Sequence, residues 1–381
     1  MKYDVIIVGG RVAGAVLATR LGKLGHRVLV VEKSQFPSDT LSTSFFRAPA
    51  LRVFEKMGVM GKVAAMAPRM ELIWNYIDGH ILVDPVEAPE EHLRFFLSER
   101  RITLDWILYK RMTREKNIEV RQNAKVKDLI WEDGRVAGIR WNEKGREHEA
   151  TARVVVGADG FYSTLANLLQ PPYESYVPVR RFAYYGYFRD LDSFDVPTAE
   201  HHFIGNTISY IFPTDYDLTM VAVSMPIQGF AEFKRSPLRN FMSHLESLPL
   251  LVSRLKDARL VSNLYGSGNI PSYQRMPYGP GWVLTGDAQQ VMDPWSGMGI
   301  DHATTHADML ADSLDSWMNN GSTWDAAMSG YHKRIRAFSK KAFQRTTTFA
   351  ADLRPMTQAA LMKRGLFQGA PEVISVYKNY Q

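Results

Sequence analysis

The chain has 381 residues, 45% of them hydrophobic and 23% charged, which is enough for about two domains of ordinary globular size. It contains no cysteine, which excludes disulfides, thiolate metal sites and a cysteine nucleophile. No apolar run approaches the roughly 20 residues of a membrane span, and the chain opens on a strand pattern rather than a secretory leader, so the expected location is the cytoplasm. Lysine and arginine outnumber aspartate and glutamate by 46 to 40, for a formal charge of +6, but the cations are spread along the chain, which argues against a nucleic-acid partner.

The first element is "VIIVGGRVAGAVLATRLGKLGHRVLVVEK", Val5 to Lys33. An apolar strand runs into a glycine turn, a helix over about 13–24 stopped by Gly25, and a second strand ending at Glu32. A helix start carries free N–H groups and partial positive charge, so such a turn favours phosphate, and glycines let the backbone come close. Gly9 makes the turn and Gly14 permits tight helix–strand packing. Glu32, about 20 residues on, suits the two hydroxyls of an adenosine ribose and disfavours a 2′-phosphate. Arg11 stands where the second glycine of such a turn is usual, beside Gly10; its guanidinium is expected on a phosphate or a nearby carboxylate.

Two later segments share this character. "ARVVVGADGFYSTLA" (Ala152–Ala166) is an apolar strand running into Asp159 and Gly160, and "GPGWVLTGDAQQVMDPWSGMGIDHATTHADMLA" (Gly279–Ala311) is another, ending in Gly286 and Asp287 before Pro294 and a glycine-rich helix start. Between about Arg180 and Pro226 the pattern changes to aromatic, alternating runs that predict an antiparallel sheet. From Thr304 onward helices are predicted, with "HKRIRAFSKKAFQR" (His332–Arg345) as a solvated basic face or a docking surface for an acidic partner, and a tail helix at the end.

The three glycine-and-acid segments, in this order, resemble the FAD-dependent oxidoreductases of the para-hydroxybenzoate hydroxylase-like superfamily. That group holds single-component aromatic monooxygenases, flavin-dependent halogenases and geranylgeranyl-reductase-like enzymes. The resemblance implies an α/β fold: a discontinuous FAD-binding Rossmann-like domain over 1–75, 96–178 and 262–330, an inserted antiparallel-sheet substrate domain over 76–95 and 179–261, and a helical segment over 331–381. It implies that Gly9, Gly10, Arg11, Ala13, Gly14, Glu32 and Lys33 hold the ADP half of FAD, that Asp159 and Gly160 lie near the pyrophosphate and nicotinamide path, and that Gly286 and Asp287 meet the ribityl chain. Pro294, Gly297, Met298, Gly299 and Ile300 would face the flavin N1/C2 edge, where helix N–H groups favour the negative charge that develops on reduction. "RITLDWIL" (Arg101–Leu108) matches a family segment that implies a flavin contact for Arg101 beside its alternative, a pair with Asp105. Arg47 is a pyrophosphate or substrate-side candidate.

The resemblance further implies NADH or NADPH as transient reductant and a small-molecule substrate, free or tethered to a carrier protein, in a monomer or homodimer. Monooxygenation through a flavin C4a-hydroperoxide, on an aromatic or polyketide-like compound, is the favoured chemistry; a geranylgeranyl-type reductase or desaturase and a halogenase are the alternatives. Against the halogenase, "ISYIFP" (Ile208–Pro213) has Ile208 and Tyr210 where that group carries tryptophans, and its lysine segment has no counterpart. Two further departures are Ala166 in place of a loop-supporting arginine and His306 in place of an aspartate. A flavin-fold module without turnover is opposed by Asp287 and the Gly297–Ile300 turn. Tyr184, His202, Tyr210 and Phe212 are expected to line the substrate pocket, no catalytic residue is identified, and no metal site is expected; adjacent His201 and His202 point to opposite faces of a strand.

Overall fold

The computed structural model describes residues 3–319 and 321–366; the last part of the expected tail helix lies outside them. In chain order, strand β1 (Tyr3–Val8), helix α1 (Val12–Lys23) and strand β2 (Val28–Val31) form the expected βαβ unit. Helix α2 (Ala48–Met57) follows, then the hairpin β3 (Leu72–Ile77) and β4 (His80–Pro85), and helix α3 (Arg101–Met112). Strand β5 (Ile118–Arg121) leads into a meander of β6 (Ala124–Glu132), β7 (Arg135–Glu143) and β8 (Arg146–Gly157), and then helix α4 (Thr164–Leu169). Next come β9 (Tyr173–Val177), β10 (Arg181–Arg189), β11 (Thr198–Ile204), β12 (Thr207–Thr214), β13 (Leu218–Pro226) and helix α5 (Pro237–Glu246). The chain closes with β14 (Ser272–Arg275), β15 (Trp282–Leu284), β16 (Gln290–Val291) and helices α6 (Gly299–Met318), α7 (Trp324–Ala350) and α8 (Arg354–Lys363).

One sheet runs β15-β8-β1-β2-β5, all parallel. Its central strands are covered on both faces, which is why they are written as unbroken apolar runs. Val5, Ile7, Val28, Val30, Val154 and Val156 face the helices α1, α2 and α6, while Ile6, Val8, Leu29, Val31 and Val155 face the meander. Strand β8 serves two sheets: Arg146–Thr151 pair antiparallel with β7, and Ala152–Gly157 pair parallel with β1.

The second sheet runs β10-β13-β12-β11-β3-β4 and is antiparallel except where β11 lies parallel to β3. Alternation divides its side chains. Tyr185, Tyr187, Tyr210 and Phe212 face inward onto Phe45 and Trp295, while Phe182, Phe188, Val221 and Val223 face outward onto Phe233, Phe241 and Leu245. A smaller sheet, β9-β14-β16, and the long helix α7 close the remaining side. Among the described residues no helix is long and apolar enough to cross a membrane.

Candidate functional site

A cavity of about 530 Å³ opens where the carboxyl ends of β1, β2, β8 and β15 meet the inner face of the second sheet. This is where parallel α/β sheets hold ligands, because strand ends and helix starts leave backbone groups free there. Gly9, Arg11 and Ala13 form one wall, with Glu32 and Lys33 at the end of β2. Asp159 and Gly160 follow β8, Asp287 follows β15, and Arg101 comes from the first turn of α3. Pro294, Gly297, Met298, Gly299 and Ile300 complete the rim at the start of α6.

The glycine turn is built by contact distances. A Cβ on Gly14 would sit 1.8 Å from the Gly9 carbonyl oxygen, and one on Gly9, whose φ is +100°, would sit 2.4 Å from the Ala158 carbonyl oxygen. A side chain at Gly14 would part α1 from the turn after β1, and one at Gly9 would part that turn from the loop after β8. Gly10 and Gly14 lie behind the wall rather than on it. The Gly10 N–H donates to Glu32 Oε2 at 2.8 Å and the Ser34 N–H to Oε1 at 2.8 Å, so both turns fix the carboxylate while each oxygen keeps a lone pair for a ligand hydroxyl. Gly286, with φ +60°, also stands behind the wall; its missing side chain admits Ala13 of α1.

Arg11 turns to carboxylate and loop. Its guanidinium lies 2.6 Å from Asp105 Oδ2 and donates to the Ser38 and Asp39 carbonyls at 3.1 Å each. Arg101 borders the cavity and pairs with Asp105 at 3.0 Å. Asp159 caps α4, accepting from Ser163 Oγ and the Thr164 N–H at 2.6 Å each and from the Leu165 N–H at 3.2 Å. These bonds support the loop that an arginine at position 166 would otherwise brace.

Arg47 does not reach the cavity. It lies behind the α6 turn, with Nε 2.9 Å from Asp301 Oδ2 and Nη2 3.1 Å from the Gly297 carbonyl. The pair turns the wholly buried Asp301 carboxylate away from the helix start, so the positive end of α6 is left facing the cavity. The Asp287 carboxylate accepts no hydrogen bond from the described residues, and burial pushes it up to about 6 against the pull of Arg101. Asp293, also on the wall, is raised to about 6 by burial while it accepts the Trp295 N–H at 3.1 Å.

Of the residues expected around a substrate, Tyr184, His202, Tyr210 and Phe212 do not line the cavity. Tyr184 faces outward onto Phe233, with ring centroids 4.9 Å apart, and His202 faces the same way, 2.5 Å from Glu200 Oε1. Tyr210 and Phe212 face inward but lie under the α6 turn: the Tyr210 hydroxyl donates to the Trp295 carbonyl at 2.5 Å, and Phe212 stacks on Phe45 at 4.6 Å. The second sheet instead offers Ala183 and Tyr185, one position away from Tyr184 on each side, because successive strand residues alternate faces. The Tyr185 hydroxyl accepts the Ser42 N–H at 3.2 Å and is pushed up to about 12 by burial. Phe45, Gln290 and His302 also border the cavity and carry no sequence signal of their own.

This donor and acceptor set fits FAD. Two helix starts would supply N–H groups for the pyrophosphate and for the pyrimidine edge of the flavin, Glu32 would supply an acceptor for ribose hydroxyls, and the Asp287 carboxylate one for the ribityl chain. The flavin would contribute two-electron redox chemistry that no side chain here has.

Comparison with known proteins agrees. The family described as FAD binding domain matches residues 2–230. A 1H-pyrrole-2-carbonyl-[peptidyl-carrier protein] brominase of Pseudoalteromonas luteoviolacea is 25% identical, with 87% of this chain and 81% of that one covered. Digeranylgeranylglycerophospholipid reductase 2 of Methanopyrus kandleri is 25% identical over 79% of this chain and 74% of its own. Among solved structures, a myxobacterial chondrochloren halogenase superposes with a TM-score of 0.82 at 21% identity, covering 90% of this chain and 81% of its own. PqsL, a probable FAD-dependent monooxygenase of Pseudomonas aeruginosa, superposes with a TM-score of 0.74 at 22% identity, covering 91% and 94%. At such identities the structural likeness is one of fold. Taken with the cavity and its donor set, the family match makes this chain a member of the FAD binding domain family and a FAD-dependent oxidoreductase.

Proposed function

We propose that this protein is a FAD-dependent monooxygenase that uses NADH or NADPH and O2 to hydroxylate a compact, hydrophobic ring compound, free or tethered to a carrier protein. One observation carries the choice: the cavity wall away from the nucleotide turn presents aromatic and neutral hydrogen-bonding groups, Phe45, Tyr185 and His302, with no lysine among them. Lys33 and Lys125 are the cavity's lysines among the described residues, and both stand by Glu32 at the nucleotide end, where Ala124, next to Lys125, donates its N–H to the Glu32 carbonyl. A halogenase of this superfamily depends on a lysine beside the substrate, so its absence from that wall favours hydroxylation.

The wall also excludes water on one side, where Phe45 and Tyr185 seal the second sheet onto the α6 turn. The tyrosine stays neutral at ordinary pH, so it acts as a hydrogen-bonding surface and not as a base.

The test is stopped-flow reoxidation of the NADH- or NADPH-reduced holoenzyme. A transient species that requires O2 and precedes oxidised flavin, together with products one oxygen heavier from a panel of phenols, is the expected result. Anaerobic reoxidation by a prenyl acceptor, or brominated product with bromide present, would overturn the reading in favour of a reductase or a halogenase.

A further inference from the structure

Helix α6 has two differently built sides. Ile300, Ala303, Ala307 and Leu310 pack into the apolar cluster that holds α1 and the nucleotide turn. His302 and His306 lie on another side, their rings stacked with centroids 5.5 Å apart, and Phe338 of α7 meets both edge-on at 5.1 and 6.0 Å.

The second histidine is tied into the protein. His306 Nε2 lies 3.0 Å from Ser339 Oγ, which accepts from Gln290 Nε2 at 3.2 Å, and Gln290 Oε1 accepts from Gln274 at 2.6 Å. The first is not. His302 is 4% exposed and borders the cavity, yet neither ring nitrogen has a hydrogen-bond partner among the described residues. Burial, with His306 and Arg47 nearby, holds the ring well below its usual pKa, so it is a neutral imidazole with one N–H donor and one acceptor nitrogen. A buried polar group left unpaired is costly, and one that borders a ligand cavity has its partner in the ligand. The orientation selects which ligand: His302 is on the α7 side of α6, away from α1, so the partner is a substrate group and not the nucleotide.

We propose that His302 determines substrate specificity, exchanging a hydrogen bond with the O–H or N–H of an uncharged aromatic or heteroaromatic substrate. This rests on reading the cavity as the substrate site of a flavoenzyme. A neutral ring stacked on another histidine and edged by phenylalanine suits a flat, uncharged partner.

The experiment is a titration of the FAD-bound protein with 2-naphthol and indole and with their blocked counterparts, 2-methoxynaphthalene and N-methylindole, followed by perturbation of the flavin absorption and by equilibrium dialysis. The wild type is expected to prefer the unblocked probes by about tenfold, the worth of one buried hydrogen bond. His302→Phe, which keeps a flat ring on His306 and Phe338, should erase the preference while leaving the blocked probes' affinity unchanged. His302→Gln, which keeps a donor and an acceptor, should retain it, and its flavin content reports that the fold is intact. No preference in the wild type, no binding of either unblocked probe, or a preference that survives His302→Phe overturns the proposal. The readout is binding, so a wild type that keeps the preference but forms no oxygenated product counts against hydroxylation alone, and the reverse result counts against His302 alone.

Discussion

The guanidinium of Arg11 closes on the buried carboxylate of Asp105 at 2.6 Å, and the same carboxylate holds Arg101 at 3.0 Å. One acid therefore joins the glycine turn of β1–α1 to the first turn of α3, and Arg11 adds the Ser38–Asp39 loop through its remaining donors. The arginine in the glycine turn is a strut beside the cofactor site, and two cations share one anion at the cavity edge.

It follows that Arg11→Gly should fold and take up FAD, losing about 1–2 kcal/mol of stability, because Asp105 keeps Arg101 as a partner and is not left as a lone buried charge. Gly14→Val should not hold FAD, since its Cβ would need the space of the Gly9 carbonyl. Flavin content after gel filtration, with thermal denaturation of the apoproteins, measures both.

The pair behind the flavin turn should be less tolerant. In Arg47→Met the Asp301 carboxylate, wholly buried, retains the backbone N–H of residue 47 but loses its cation, a change worth about 3–5 kcal/mol. The double variant Arg47→Met/Asp301→Leu should recover most of that loss, as measured by urea unfolding. FAD affinity should stay low in both, because Arg47 also holds the Ser296 and Gly297 carbonyls of the turn.

Asp287 should separate binding from stability. Its carboxylate has no hydrogen bond from the described residues and is raised by burial, so Asp287→Asn is expected to be at least as stable as wild type in the apo form at pH 7. The same change should weaken FAD about tenfold, through loss of a charge-assisted acceptor for ribityl hydroxyls, in a fluorescence titration. A destabilised apoprotein with normal affinity would contradict this.

Acid stability should be governed by the histidines. His201 and His306 are lowered by burial to about 3 and His244 to about 4, so the unfolded chain binds protons on these rings below pH 6.5 that the folded chain refuses. Their contribution is complete above pH 6.5 and is lost as pH falls through the folded values. Asp287 and Asp293, raised to about 6, act oppositely: their contribution is complete below the ordinary aspartate pKa near 3.8 and is lost as pH rises through 6. These rings therefore add a rise of apoprotein stability with pH between about 4 and 6, against the opposite slope that the buried acids add. His201→Phe and His306→Phe should each flatten that slope in urea titrations at stepped pH.

Much of the cavity lining was legible along the chain because its signals are local. An apolar run ending in glycine, a helix start, and an acid one strand later report strand ends and free N–H groups whatever surrounds them, and Gly9, Glu32, Asp159, Asp287 and Gly297, singled out on such segments, meet at one cavity. The substrate wall has no such signal. Alternation along β10 divides Phe182 and Tyr184 from Ala183 and Tyr185, but it does not say which pair turns inward; that depends on Phe233 and Phe241 packing one face and Phe45 and Trp295 the other.

The sequence by itself thus determined the βαβ unit, the glycine turn and an adenosine nucleotide with free ribose hydroxyls, since each follows from backbone chemistry within a short stretch, and the family resemblance narrowed that nucleotide to FAD. Only the tertiary structure decided that Arg11 meets Asp105, that Arg47 meets Asp301, and that His302 at the cavity wall has no partner among the described residues. Partners 94 and 254 residues away are chosen by how helices pack across a core, and an unsatisfied nitrogen is defined by what every neighbouring element fails to supply.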